Sequence, residues 1–368
     1  MNGAQLRHHF MKLLPFPVIW SVAALLYVIV ERGILGDATT YPSTGNAYDF
    51  NAGLFGRVPG AFLTGILMGL IEISLMRNFL RHKTFLYKVT VKVLLFTLVI
   101  SGFLILSSLF SSASQMQLPV YHTEVLAATG GFLSNYAFIS ILIFAGVFNF
   151  IAYYISETID SLGRNIVSNF FTGRYRKPRR EFRIFMFLDM KSSTTIAEQL
   201  GTITYYEFLK SYYNDMTRAI ISTDGEVYQY VGDEIVISWP MKRGLSKLNC
   251  IRCFYMIRQE LQYKKDYYEA KYGIFPTFKA GIHMGEVTAG EIGVIKREIL
   301  YTGDVLNTTA RIQSLCNEVN EELLISEDLH EKAYRRPGFN YRNMGVFELK
   351  GRNEKVSLYS VSQNVHTP

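Results

Sequence analysis

Cysteine is scarce: Cys250, Cys253 and Cys316 are the only three in 368 residues, and all lie in the second half. Three thiols cannot build a disulfide scaffold, and they suit a reducing compartment. Cys250 and Cys253 form a C-x-x-C within "LNCIRCFYMIRQEL". The apolar spacing there is helical and no second ligand pair follows, so core packing is their expected role. No G-x-x-x-x-G-K-[ST] occurs, which argues against a P-loop ATPase. Charged residues make up only 19% of a chain that is 49% hydrophobic. The apolar surplus is concentrated before about residue 156, so a membrane half and a soluble half lie in series, consistent with about two domains of ~150 residues.

Four apolar runs are each near the ~20 residues a bilayer requires: about Leu13–Val30, Val58–Met76, Val91–Phe110 and Gly131–Ile155. The first begins with two prolines and lacks a small-x-small site before Glu31, so it is expected to be retained rather than cleaved. "RNFLRHKTFLYK", between the second and third runs, carries Arg77, Arg81, Lys83 and Lys88. "SSASQMQLPVYHTEVLAATG", between the third and fourth, has no Lys or Arg. The asymmetry puts both termini and the soluble half in the cytoplasm of a multi-pass protein of the cell inner (plasma) membrane. No outward loop is long enough for an ordinary domain.

Charge inside a span is costly, so Glu72 needs a partner, and Lys92 lies at a matching depth. Structural pairing is one reading of Glu72; an ion or ligand sensor is the other. Beyond the fourth run, Ile159, Leu162, Ile166 and Phe170 recur at helical spacing up to Pro178 and predict a helical linker over 156–180 that pairs with a copy of itself. "GRYRKPRR", Gly173 to Arg180, has few interleaved aromatics and fits membrane lipid at the inner leaflet rather than nucleic acid.

From residue 181 to 362, strand and helix patterns alternate, with hairpin connections predominating. The expected domain is α+β, a mainly antiparallel sheet with helices on one face and a long helix over about 245–271. The glycines of "GIHMGEVTAGEIG" are expected at tight strand turns, and His283 in a structural role. "EFRIFMFLDM" reads as a strand ending on Asp189, and Gly232-Asp233 as the tip of a hairpin. Alone, Asp189 could cap a helix over "KSST". Two acids converging at one sheet edge, beside the amides of a helix start, form instead a divalent-cation and phosphate site.

"FLDMKSSTTIAE", "YQYVGDEIVISW", "FKAGIHMGEVTAGEIG" and "GDVLNTTARIQ", in this order, resemble the class III nucleotidyl cyclases. The four-span layout is similar to that of membrane-anchored bacterial members. The resemblance implies a ferredoxin-like catalytic domain that works as a homodimer with sites at the interface. By motif, Asp189 and Asp233 would bind two Mg²⁺ or Mn²⁺ ions. Asn307 and Arg311, supplied by the other subunit, would orient the ribose and neutralise charge on the α-phosphoryl. They are four apart on a helix and so share a face. Lys279 stands where the family often has an arginine for the β-phosphate, and Lys350 and Arg352 resemble its late phosphate clamp.

The base pocket departs from the family. Gln229, four residues before Asp233, and Leu300, seven before Asn307, match neither the adenylate nor the guanylate pair. A Gln amide offers both hydrogen-bond senses, and Leu300 supplies only shape. The resemblance favours ATP as the nucleoside triphosphate, with cyclic AMP and pyrophosphate as products in intracellular signalling. A guanylate or pyrimidine cyclase, and a non-catalytic receptor or scaffold, are the alternatives. "VGDE" also resembles the diguanylate cyclase loop, but Val231 replaces its second glycine and such enzymes lack an "NTTAR" helix. What the membrane half senses is open.

Overall fold

The computed structural model describes residues 10–41, 47–76, 80, 83–162, 169, 172–348 and 355–364. The chain divides into two compact units, Arg7–Val167 and Ser168–Pro368, and each is described by itself.

The first unit is helical: α1 (Pro15–Leu35), α2 (Phe50–Ile71) continued by one π turn (Glu72–Met76), α3 (Phe85–Met116), α4 (Thr123–Leu133) and α5 (Tyr136–Leu162). Four of these helices, spanning Phe10–Leu35, Phe50–Ser74, Phe85–Met116 and Tyr136–Ser161, are long and apolar enough to cross a bilayer. Boundaries differ from the sequence expectation, and the second span begins at Phe50 rather than Val58. The segment 111–130, which has no Lys or Arg, is not a simple loop, since α3 extends to Met116 and α4 follows. The fourth span begins at Tyr136 rather than Gly131, because Asn135 Oδ1 accepts from the Ala137 amide at 3.0 Å and restarts the helix. Helices α1 and α2 approach closely at Gly65, where a Cβ would lie 2.5 Å from the Pro17 Cα.

The expected Glu72–Lys92 pair forms, and it has company. Lys92 Nζ lies 2.6 Å from Glu72 Oε1 and 3.1 Å from Glu157 Oε2, while Lys88 Nζ lies 2.6 Å from Glu157 Oε1. Lys12 pairs with Asp160 nearby in sequence to Glu157. These groups tie α2, α3 and α5 together beside a cavity of about 80 Å³. Of the residues expected to orient the unit or form the linker stripe, Arg77, Arg81, Ile166 and Phe170 lie outside the described residues.

The second unit runs β1 (Arg179–Met190), α6 (Ser193–Leu200), α7 (Thr202–Ser222), β2 (Glu226–Val231), β3 (Glu234–Pro240), α8 (Met241–Leu245), α9 (Asn249–Gln262), α10 (Lys265–Tyr272), β4 (Phe278–Ile292), β5 (Glu298–Thr302), α11 (Asp304–Glu318), β6 (Leu323–Ser326), α12 (Glu327–Ala333), β7 (Phe339–Glu348) and β8 (Lys355–Gln363). The strands order β2-β3-β1-β4-β6-β8-β7, with β5 on β4. Its first half, β1-α-β2-β3-α-β4 in the order β2-β3-β1-β4, is the antiparallel ferredoxin-like arrangement. The β4–β6 pair is parallel. The helix expected over 245–271 is two, α9 and α10.

Side-chain alternation on β1 divides the two faces. Ile184, Met186 and Leu188 join the large core built with α7 and α9, while Phe185 and Phe187 face the other way, toward Tyr301 and Val305. Cys250 and Cys253 are fully buried in the large core on α9, and burial pushes both thiols up to about 12, as packing residues require. Helices therefore lie on both faces, not one, because α11 packs on the second. Gly281 and Gly285 explain this. They are not at turns but inside continuous β4, and a Cβ on Gly281 would sit 2.4 Å from the Gln313 amide nitrogen. Only a bare backbone admits the helix so closely.

Candidate active site

Asp189 follows Phe185 and Phe187 on the α11 face of the sheet. Register places Glu234 of β3 opposite it on one side and Lys279 of β4 on the other. Three charged residues thus stand in a row across adjacent strands. Lys279 Nζ lies 3.4 Å from Asp189 Oδ2, and Gln313 Nε2 donates to the same oxygen at 3.1 Å.

Asp233 arrives through the hairpin. β2 and β3 are joined by Gly232-Asp233, and Gly232 takes φ +61°, the positive value a two-residue turn demands of its first position. Tyr213 of α7 anchors the tip by donating its hydroxyl to the Gly232 carbonyl at 2.8 Å.

Burial and then the Asp233 carboxylate raise the Asp189 carboxyl above its ordinary range, with Lys279 opposing. Glu234 is pushed up to about 7, first by burial and then by Asp189 and Asp233. Negative charge is therefore crowded beyond what one ammonium offsets. Two hard oxygen donors in such a setting fit a divalent cation such as Mg²⁺. Among the described residues, no group of three or more His, Cys, Asp or Glu is placed to hold a metal.

The remaining expected residues do not join the acids directly. Asn307 and Arg311 lie on the side of α11 away from the buried face formed by Val305, Thr309, Ile312 and Gln313. Asn307 is exposed, and neither its side chain nor that of Arg311 has a hydrogen bond or ion pair among the described residues. Gln229 is exposed on β2, and Leu300 is half-buried on β5, opposite Gly290. Their neighbours Tyr228 and Tyr301 touch: the Tyr301 amide donates to the Tyr228 hydroxyl at 3.4 Å, and the rings pack 5.1 Å apart. Lys350 and Arg352 lie outside the described residues. His283 is buried against Ser326, 2.8 Å from Nδ1 to Oγ, which is a structural role.

Sequence reasoning missed Gln313, Glu234 and Tyr213. Gln313 and Glu234 sit inside the quoted motifs, and Glu234 directly follows Asp233 at the start of β3. Nothing local in the sequence marks Tyr213, whose role depends on how α7 packs over the hairpin.

The family model described as the adenylate and guanylate cyclase catalytic domain matches residues 177–363. "Adenylate cyclase 2" of Rhizobium meliloti (strain 1021) is 38% identical over 204 residues, 55% of this chain and 56% of that protein. "Adenylate cyclase" of Anabaena cylindrica is 25% identical over 180 residues, 48% of this chain and 36% of that protein. The chain thus spans about half the length of the first relative and about a third of the other. Among solved structures, the adenylyl cyclase CyaB from P. aeruginosa overlaps with TM-score 0.45 at 20% identity, covering 50% of this chain and 96% of that one.

Proposed function

The chain belongs to the adenylate and guanylate cyclase family, and we propose that it is a membrane-bound cyclase converting ATP to 3′,5′-cyclic AMP and pyrophosphate. The observation that carries the reading is the convergence of Asp189 and Asp233 beside Lys279, on the sheet face against which the helix of Asn307 and Arg311 packs. In the reaction the ribose 3′-oxygen attacks the α-phosphorus and loses its proton to solvent. The bond from that phosphorus to the bridging oxygen breaks, and pyrophosphate leaves.

Asp189 and Asp233 would hold two Mg²⁺ or Mn²⁺ ions, which when bound make the 3′-hydroxyl more acidic and neutralise the triphosphate. Lys279, buried beside Asp189, places a positive charge for a phosphate oxygen, without the two-pronged grip of an arginine. Asn307 orients the ribose. Arg311 meets the charge that grows on the α-phosphoryl in the transition state. Because both project away from the acids of their own chain, they serve the acids of a second copy, and the working unit is a homodimer with two shared sites.

The four apolar helices anchor the protein in the inner (plasma) membrane. The Lys/Arg asymmetry of the loops favours a cytoplasmic catalytic unit, with the basic segment 173–180 against anionic lipid.

For the base, the two relatives named adenylate cyclase support ATP. Gln229 can donate to adenine N1 and accept from its amino group, since an amide carries both senses. The full-length chain in membranes, given Mn²⁺ and each nucleoside triphosphate in turn, should yield cyclic AMP as the main product by mass spectrometry. A predominance of cyclic GMP would overturn the base assignment, and no cyclic product from any nucleotide would overturn the activity.

A further inference from the structure

Helix α11 does more than display Asn307 and Arg311. Its opposite face is buried and carries several polar side chains, most of which satisfy themselves close by. Thr309 Oγ1 donates to the Val305 carbonyl at 2.6 Å, and Thr308 Oγ1 to the Asp304 carboxylate at 3.1 Å. Gln313 differs. It is only 5% exposed, and its amide reaches out of the helix to the Asp189 carboxylate. A leucine or methionine would fill the same volume without a polar group to satisfy, so the amide has a purpose beyond packing.

The backbone leaves this contact little freedom. The close approach at Gly281 fixes the helix at residue 313 itself, directly over β4 and beside β1. From that seat the Gln313 amide and the Lys279 ammonium both meet Asp189 Oδ2. A carboxylate tethered through one oxygen presents the other in a set direction. Hydrogen bonds of this kind to a ligating side chain commonly tune metal affinity.

We propose that Gln313 is a positioning residue for Asp189, holding its carboxylate in the orientation that divalent-cation binding requires. The inference rests on the reading of Asp189 as a metal-binding acid. Through it one helix serves two sites: its buried face orients an acid of its own chain, while its exposed face offers Asn307 and Arg311 to the partner.

The test uses full-length protein in detergent and the variant Gln313→Met, which keeps the volume and removes the donor. Binding of Mn²⁺ alone is followed by electron paramagnetic resonance of the free ion, with Asp189→Ala as the control that defines binding at this site. We expect Mn²⁺ affinity to fall about tenfold. We expect the Mn²⁺ concentration for half-maximal turnover to rise in parallel, and turnover to return to the parental level at saturating Mn²⁺.

Unchanged Mn²⁺ affinity overturns the proposal. So does a turnover deficit that persists at saturating Mn²⁺, because a displaced helix would carry Asn307 and Arg311 out of place whatever the metal concentration. If the parent shows no Asp189-dependent Mn²⁺ binding, the metal reading itself falls, and the role of Gln313 with it. Should the methionine variant fail to fold, Gln313→Asn keeps the amide but falls one methylene short, and the same outcomes apply.

Discussion

Replacing Asp189 or Asp233 by alanine is expected to lower turnover by at least ~10³-fold, while the protein still folds and inserts. Loss of a single electrostatic group aimed at developing charge typically costs about 10²–10³ in rate, and each of these acids would also weaken the hold on both ions. Folding should survive because the site is electrostatically crowded. Asp189 is already raised by burial and by Asp233, so removing either acid relieves repulsion. The main structural cost falls on Lys279, which is 8% exposed and has Asp189 as its ion-pair partner. Asp189→Asn controls for this, since it removes the charge but still accepts from Gln313 and Lys279. Comparable loss in alanine and asparagine variants, with unchanged melting, would assign the effect to the charge. Full activity in any of the three would sink the metal assignment.

The largest stability effect is expected in the membrane unit. Lys92 is 2% exposed and bridges Glu72 and Glu157. Lys92→Met keeps the aliphatic stem but strands Glu72, which has no other ion-pair partner among the described residues. Glu157 keeps Lys88 at 2.6 Å. Removing one member of a buried pair costs about 3–5 kcal/mol, because the remaining charge stays desolvated. A lower melting temperature in detergent should therefore appear, and Glu72→Gln added to Lys92→Met should recover much of it. If the single variant melts like the parent, or the second substitution restores nothing, the pair does not stabilise the bundle. Loss of stability without loss of cyclase activity per folded molecule would separate structural pairing from the sensing role also considered for Glu72.

These two regions differ in how far the sequence could expose them. The spans were legible because twenty apolar residues in a row have few other uses. Asp189, Asp233, Asn307 and Arg311 were legible as motif residues, and the hairpin under Asp233 by its Gly-Asp tip. Pairings between distant segments were harder. Glu157 meets Lys92 across 65 positions, a distance at which no helical or strand period operates. Gly281 and Gly285 invited a local reading as turn residues. Their actual use is to let α11 onto the second face of the sheet, a tertiary fact that no periodicity encodes. The same contact explains why Gln313 went unnoticed, since its partner lies 124 residues away on β1.

The shared site is tested most directly by mixing chains. Asp189→Ala and Asn307→Ala proteins should each be inactive alone. Co-expressed, they form heterodimers in which one site is damaged twice and the other is intact, with Asp189 from one chain and Asn307 from its partner. Random pairing in a two-fold dimer should restore roughly a quarter of parental turnover. If the mixture recovers no activity although heterodimers are isolated from it, the acids and the Asn307–Arg311 pair do not meet across an interface.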